Sequence, residues 1–255
     1  MMRPIKPPET RPSRAFTLVE LLTTISIISL LSALLMSAVV TAKRKVHKVG
    51  CLNNLRQLGV AGLLYAADDK RQTYANTRSD RDDNQNWLYP AYVTSLKTFS
   101  CSSTRNSVRP NVFDTRSSLG TTQLLDLAKS AKDSRSFGTS YEVYGFMNYN
   151  GTDTTELIVD GTSTNVPGVQ KTEATIAGYA HKNTVLGLRG VVPGPARIWL
   201  FLDSDPSPGN YPQKTSNHGT GGLNVAFCDG HVEWITRQRW LYSYELSQDE
   251  GRMRP

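Results

Sequence analysis

The chain has 255 residues, 38% of them hydrophobic, and 29 Lys and Arg against 22 Asp and Glu give a formal net charge of +7. With a mean hydropathy of -0.38 these averages describe a soluble body and exclude a chain that is apolar throughout, so any membrane association has to rest on one local segment. About forty residues are taken by a basic leader and an apolar run, which leaves roughly two hundred for one modest head, most simply a single domain.

The apolar run is Phe16 to Val40, FTLVELLTTISIISLLSALLMSAVV, in which the ionisable side chain is Glu20 and Leu21 to Val40 carries no charge. Twenty residues at about 1.5 Å each span about 30 Å, the thickness of a bilayer hydrocarbon core. A buried core helix and a secretory signal are the alternatives. Signal h-regions run to roughly 7–15 residues and end in a small-residue cleavage site, whereas this run is longer and passes directly into AKRKVHKVG. The expectation is a spanning helix over 16–40. A carboxylate within it is costly and persists where it has a partner, so Glu20 calls for an explanation from function.

The segment RAFTLVELL resembles the cleavage and methylation signature of type IV pilin-like, prepilin-type proteins, in which a basic leader and a small residue precede Phe-Thr-Leu-Ile/Val-Glu at the start of an apolar helix. The resemblance implies cleavage by prepilin peptidase between Ala15 and Phe16, methylation of the new Phe16 amine, and assembly through Glu20, paired with the N-terminal amine of a neighbouring pilin-like subunit. The residue before the cut is usually Gly in that family and is Ala15 here. Four basic residues stand on each side of the run, Arg3, Lys6, Arg11 and Arg14 before it and Lys43, Arg44, Lys45 and Lys48 after it, so positive charge alone does not orient the helix. The resemblance does: a single-pass inner membrane protein, leader cytoplasmic and head periplasmic. The leader carries +3, leaving +4 on the rest. That is no argument for nucleic acid, and Lys43 to Lys48 are expected at lipid headgroups.

Beyond the membrane, Leu52, Leu55, Leu58, Gly59, Gly62, Leu63 and Ala66 fall on one face of a 3.6-residue period. No proline interrupts residues 16–75, and Asp68, Asp69 and Lys70 open a polar stretch. The predicted layout is a leader at 1–15, a transmembrane helix at 16–40, its amphipathic continuation at 41–70 and a head at 71–255. Thr23, Thr24, Ser26, Ser29, Ser32, Ala33 and Ser37 suit close helix packing within the membrane. Residues 102–190 read as loops and short strands with one helical candidate, Thr121 to Lys132, and TNVPGVQ and VVPGPAR are turn material.

Further segments, CLNNLRQLGVAGLLYAADD, FSCSS, SYEVYGFMNYN, IWLFLDSD and HGTGGLNVAFCDGHVEWI, resemble the pilin-like family of planctomycete and verrucomicrobial type whose C-terminal signature is His, nine residues, Asp-Gly. Here His218 and Asp229, the latter followed by Gly230, enclose ten residues, and the glycine-rich run Gly219 to Gly222 is expected to absorb the additional one. Cys51 and Cys101 stand where that family often has cysteine, which makes them the implied disulfide, with Cys228 left as a free thiol; three free thiols are the alternative.

Asp229-Gly230 between alternating apolar runs signals a type I′ hairpin over 223–236. In that register Phe227 pairs with Val232 and Val225 with Trp234, placing Trp234 in the core; Ile198 to Leu202 is another strand candidate. A sharper reading gathers His218, Asp229 and His231, with Asp203 and Asp205, into a metal or catalytic cluster. The sequence has no calcium loop, zinc spacing, phosphate loop or nucleophile elbow, so the expectation is no metal, no cofactor and no enzymatic activity. The fold class expected is α+β, a long N-terminal helix packed on a small antiparallel sheet. The function expected is a structural subunit of a type IV pilus-like or type II secretion pseudopilus assembly; the alternative is a membrane-anchored binding protein that uses the prepilin pathway without forming filaments.

Overall fold

The computed structural model describes residues 16–79, 82–114, 123–128, 137–159, 162–203, 212 and 216–253. The leader, Ala15 and Asp205 therefore lie outside the described residues. In chain order the elements are α1 (Leu18–Asp68), β1 (Phe113–Asp114), β2 (Gln123–Leu124), β3 (Tyr141–Val143), β4 (Phe146–Met147), β5 (Thr154–Val159), β6 (Thr162–Pro167), β7 (Val169–Gln170), α2 (Glu173–Gly178), β8 (Trp199–Asp203), β9 (Gly222–Phe227), β10 (Val232–Thr236) and α3 (Arg237–Gln248). This is an α+β arrangement of pilin type, a long N-terminal helix followed by antiparallel sheets. The chain divides after Arg44 into two units.

In the first unit α1 is apolar around its whole circumference, and Leu21, Ile25, Leu31 and Leu34 are all exposed. The hydroxyls of Thr23, Thr24, Ser26 and Ser29 are satisfied within the helix. Thr23 Oγ1 donates to the Glu20 carbonyl at 3.0 Å, Thr24 Oγ1 to Leu21 at 2.8 Å, Ser26 Oγ to Leu22 at 2.8 Å and Ser29 Oγ to Ile25 at 2.7 Å. Such back-bonding lets polar side chains stand in hydrocarbon without an unpaired donor.

In the second unit the same helix becomes one-sided, burying Cys51, Leu55, Leu58, Gly59, Ala61, Gly62 and Ala66. They face the four-stranded antiparallel sheet, of order β10-β9-β8-β3. Two glycines set the approach: a Cβ on Gly59 would lie 3.3 Å from Ala226 Cβ, and one on Gly62 would lie 2.8 Å from Leu200 Cδ2 and 3.3 Å from the Tyr74 carbonyl. Leu52 and Leu63 are only half-buried, while Cys51 and Ala61 are buried, so the contact stripe is rotated slightly from the one the leucines mark.

The opposite face of the sheet is covered by α3, which sequence periodicity did not single out. Trp240 and Tyr244, one turn apart, stack at 4.8 Å, and Tyr244 meets Trp199 edge-on at 5.6 Å. Leu202, Leu223, Val225, Phe227 and Ile235 complete this second core. A bulge in β8 between Trp199 and Phe201 breaks strict alternation, so Leu200 and Phe201 both join the α1-side core while Trp199 and Leu202 join the other.

The hairpin forms, but one residue out of the expected register. Val232 pairs with Ala226, Glu233 with Val225 and Trp234 with Asn224. The Gly230 N–H donates to the Phe227 carbonyl at 2.9 Å, the Phe227 N–H to the His231 carbonyl at 3.0 Å, and Gly230 has φ +85°. This is a three-residue loop, a type I turn closed by a glycine bulge. A one-residue slip moves every side chain to the other face. Trp234 consequently leaves the Val225 face and is half-buried on the α1 side, with Lys48 Nζ 3.4 Å above its ring.

The helical candidate at 121–132 is also corrected. Its described part is β2 followed by one 3-10 turn, Leu125–Leu127. Buried Asp126 holds this turn in place, accepting from the Arg109 N–H at 2.9 Å and from its guanidinium at 2.8 and 2.7 Å.

The end of α3 is fixed by a buried ion pair. Asp249, left-handed at φ 51°, accepts from Tyr179 Oη at 2.6 Å and from the Lys182 N–H at 2.9 Å, and His181 Nδ1 stands 3.1 Å from it. His181 Nε2 lies 2.8 Å from the Leu246 carbonyl, so both ring nitrogens face acceptors, an arrangement that favours the imidazolium. Burial alone would lower the His181 pKa; the Asp249 hydrogen bond, the Leu246 carbonyl and the nearby carboxylates outweigh it and hold it raised. Burial likewise works against the Asp249 carboxylate, yet the His181, Tyr179 and backbone hydrogen bonds bring its pKa down to about 2.

Two predictions follow from this packing. Helix propensity alone favours Gly62→Ala by about 1 kcal/mol; overpacking against enclosed Leu200 costs about 1–3 kcal/mol. Denaturant unfolding of the variant should therefore show a net loss of about 1 kcal/mol, and a net gain would mean that the helix does not meet the sheet here. His181→Gln should cost about 3–5 kcal/mol at pH 5–6 by leaving Asp249 buried without its counter-charge. Because the folded His181 pKa is raised, its contribution is complete below the unfolded value of about 6.5 and is lost as pH rises through the folded value. The difference between wild type and variant should shrink as pH rises; a constant difference would contradict the ion pair.

Candidate functional site

At the N-terminal site, Phe16 is exposed and Thr17 caps α1. The Thr17 N–H and Oγ1 donate to Glu20 Oε2 at 2.9 and 2.8 Å, and the Glu20 N–H donates to Thr17 Oγ1 at 3.2 Å. This is a capping box, Thr-x-x-Glu, which satisfies first-turn donors reciprocally. The spacing was present in the sequence and gives Glu20 a local role that reading it only as a membrane anomaly had missed. The carboxylate sits at the positive end of the helix, exposed, beside the residue whose amine would become the N-terminus.

A second cluster forms in the head around His218, which precedes the 3-10 turn Gly219–Gly221 in the glycine run. Its Nδ1 is 3.0 Å from Ser103 Oγ. Its Nε2 is 3.1 Å from Asn224 Nδ2, 3.4 Å from Asp203 Oδ2 and 3.6 Å from Cys101 Sγ. Asp203 is fully buried at the end of β8 and accepts from the Asn224 N–H at 2.7 Å. Burial pushes its carboxyl pKa up, and the charge of His218 and the Asn224 hydrogen bonds reverse this only in part. Cys51 and Cys101 are bonded to each other, with Cα atoms 5.0 Å apart and a sequence separation of 50. In the chain-entropy account a loop of that length is worth about 4 kcal/mol. Cys228 is free and buried.

Asp229, Gly230 and His231 form the hairpin turn instead. Asp229 Oδ1 lies 2.5 Å from His231 Nδ1, and the His231 ring stacks on Phe227 at 4.3 Å. Asn224, which contacts His218, is separated from this turn by extended strand at about 3.3 Å per residue. The structure thus brings together Asp203 and His218 from the expected cluster and places Asp229 and His231 apart from them as turn chemistry.

Sequence reasoning did not foresee Ser103 beside His218, nor a fully buried lysine. Lys171 Nζ donates to the Trp199 carbonyl at 2.8 Å, the carbonyl that Cys228 Sγ approaches at 3.9 Å. Burial brings the Lys171 pKa down to about 7 and pushes the Cys228 thiol up to about 12. Nothing in the local sequence marks either residue, since the contact joins segments far apart in the chain.

The family described as the prokaryotic N-terminal methylation motif matches residues 10–36. No curated protein and no solved structure matches the chain. The motif covers Arg11 and Arg14 before Phe16, the Thr17–Glu20 capping box and most of the apolar run, and α1 is long and apolar enough to cross a membrane. Residues 10–36 thus carry the prokaryotic N-terminal methylation motif found in prepilin-type proteins, in front of an α+β head.

Proposed function

We propose that this protein is a structural subunit of a type IV pilus-like or type II secretion pseudopilus assembly, cut by prepilin peptidase between Ala15 and Phe16 and methylated on the Phe16 amine. The observation that carries this reading is the methylation motif in register with the capped helix: Phe16, Thr17 and Glu20 stand at its first turn, and the motif continues into the uncovered apolar run. Prepilin peptidase and other pilin-like subunits are the partners. The helix is a single-pass inner membrane anchor with the leader cytoplasmic and the head periplasmic, and the role is structural, not enzymatic.

In this reading Glu20 serves twice. Before assembly its carboxylate closes the capping box with Thr17. In the assembly it meets the N-terminal amine of a neighbouring subunit, supplying the counter-charge that a carboxylate in a membrane requires. Glu20→Gln keeps a hydrogen-bonding partner for Thr17 and removes the charge, which separates the two roles. Expressed in a host with prepilin peptidase and crosslinked in the membrane, wild type should give a ladder of oligomers. Glu20→Gln should be cut and helical as wild type is, with oligomers reduced at least about tenfold, the factor that corresponds to about 1.4 kcal/mol. A cut wild-type chain that stays monomeric would favour the anchored binding protein instead.

A further inference from the structure

Four side chains of different origin converge at the base of the head. Cys51 comes from α1, Cys101 from the loop after the 3-10 turn Leu96–Phe99, Asp203 from the end of β8 and His218 from the glycine run before β9. One donor atom from each of Cys51, Cys101 and His218 lies within 4.8 Å of the others. His218 Nε2 is 3.6 Å from Cys101 Sγ and 3.4 Å from Asp203 Oδ2. Tetrahedral zinc with thiolate and imidazole ligands places its donors about 3.3–3.8 Å apart, so two edges of such a tetrahedron already exist. Opening the sulfur–sulfur bond frees both sulfurs to take up ligand positions.

The surroundings are those of a prepared ligand set. Ser103 Oγ stands 3.0 Å from His218 Nδ1, which turns Nε2 toward Cys101 and Asp203, and Asn224 Nδ2, 3.1 Å from Nε2, is the contact a metal would replace. A second hydrogen bond of this kind fixes tautomer and ring direction in metal-binding histidines. Of the buried Asp203 carboxylate, Oδ2 is the oxygen that faces His218, and Oδ1 has no hydrogen-bond partner among the described residues. Two sulfurs, an imidazole and a carboxylate suit a borderline-soft ion and not calcium or magnesium.

We infer that the head, once the Cys51–Cys101 disulfide is reduced, is a zinc-binding site with Cys51, Cys101 and His218 as ligands and Asp203 as the fourth. A thiol reductant passes two electrons and two protons to the two sulfurs and leaves as its own disulfide. Zn²⁺ binding then displaces both thiol protons and leaves two thiolates on the metal. The disulfide and the metal are alternative clamps on the same junction between α1, the Cys101 loop and the strand pair β8–β9.

The test is an anaerobic titration of Co²⁺ into the detergent-solubilised full chain, after reduction by a phosphine that does not itself bind the metal. Circular dichroism checks that the reduced chain stays folded. One equivalent should bind with a thiolate-to-cobalt charge-transfer band and the visible bands of a tetrahedral site, and Zn²⁺ should displace it. The oxidised chain should give neither band. Cys228→Ser should leave the spectrum unchanged, His218→Ala should weaken binding more than a hundredfold, and Ser103→Ala, at an exposed position, about tenfold or more. A folded reduced chain without the thiolate band, or one that unfolds on reduction even with Zn²⁺ present, would overturn the site. So would unchanged affinity in both the His218→Ala and Ser103→Ala variants.

Discussion

One helix has to satisfy two environments, and the rest of the structure follows from how its sequence does so. Over the apolar run every direction around α1 is hydrocarbon-compatible, and the hydroxyls of Thr23, Thr24, Ser26 and Ser29 close on their own backbone. From Cys51 onward only one stripe is buried, and a Cβ at Gly59 or Gly62 would crowd the sheet. The sheet answers that close approach with Ala226 and Leu200. Its opposite face packs Trp199 against Trp240 and Tyr244 of α3.

Most of the α1 story was legible in the sequence because it depends on local periodicity and composition. The hairpin was legible in existence and wrong in register, since Asp-Gly suits both a two-residue turn and a type I turn with a glycine bulge. The choice between them is made by whether Trp234 or Ile235 shares a face with Leu223 and Val225. That is a tertiary decision: Ile235 fills the core under α3, and Trp234 finds Lys48 on the other face. The C-terminal helix escaped notice because RQRWLYSYELSQ is mostly polar, though Trp240 and Tyr244 at i, i+4 were the available signal.

Buried polar contacts were the least legible part. His181 and Asp249 are 68 residues apart, and Ser103 and His218 are 115 apart; neither pair leaves a local trace. Of the residues grouped as a C-terminal signature, His218 turned inward to Asp203 and the Cys51–Cys101 junction while Asp229 and Gly230 build the turn. Residues joined by one sequence pattern therefore perform two separate structural tasks. The N-terminal motif is different in kind, since Phe16, Thr17 and Glu20 act within a single helical turn and could be read directly.

The central claim is that this chain enters the prepilin pathway through that turn. It is tested most directly by the intact mass and N-terminal peptide of the protein purified from membranes of a host with prepilin peptidase. The account predicts a mature chain that begins at Phe16 and carries one methyl group on its amine. A chain that retains Met1 through Ala15, or one cut within the apolar run, would contradict it.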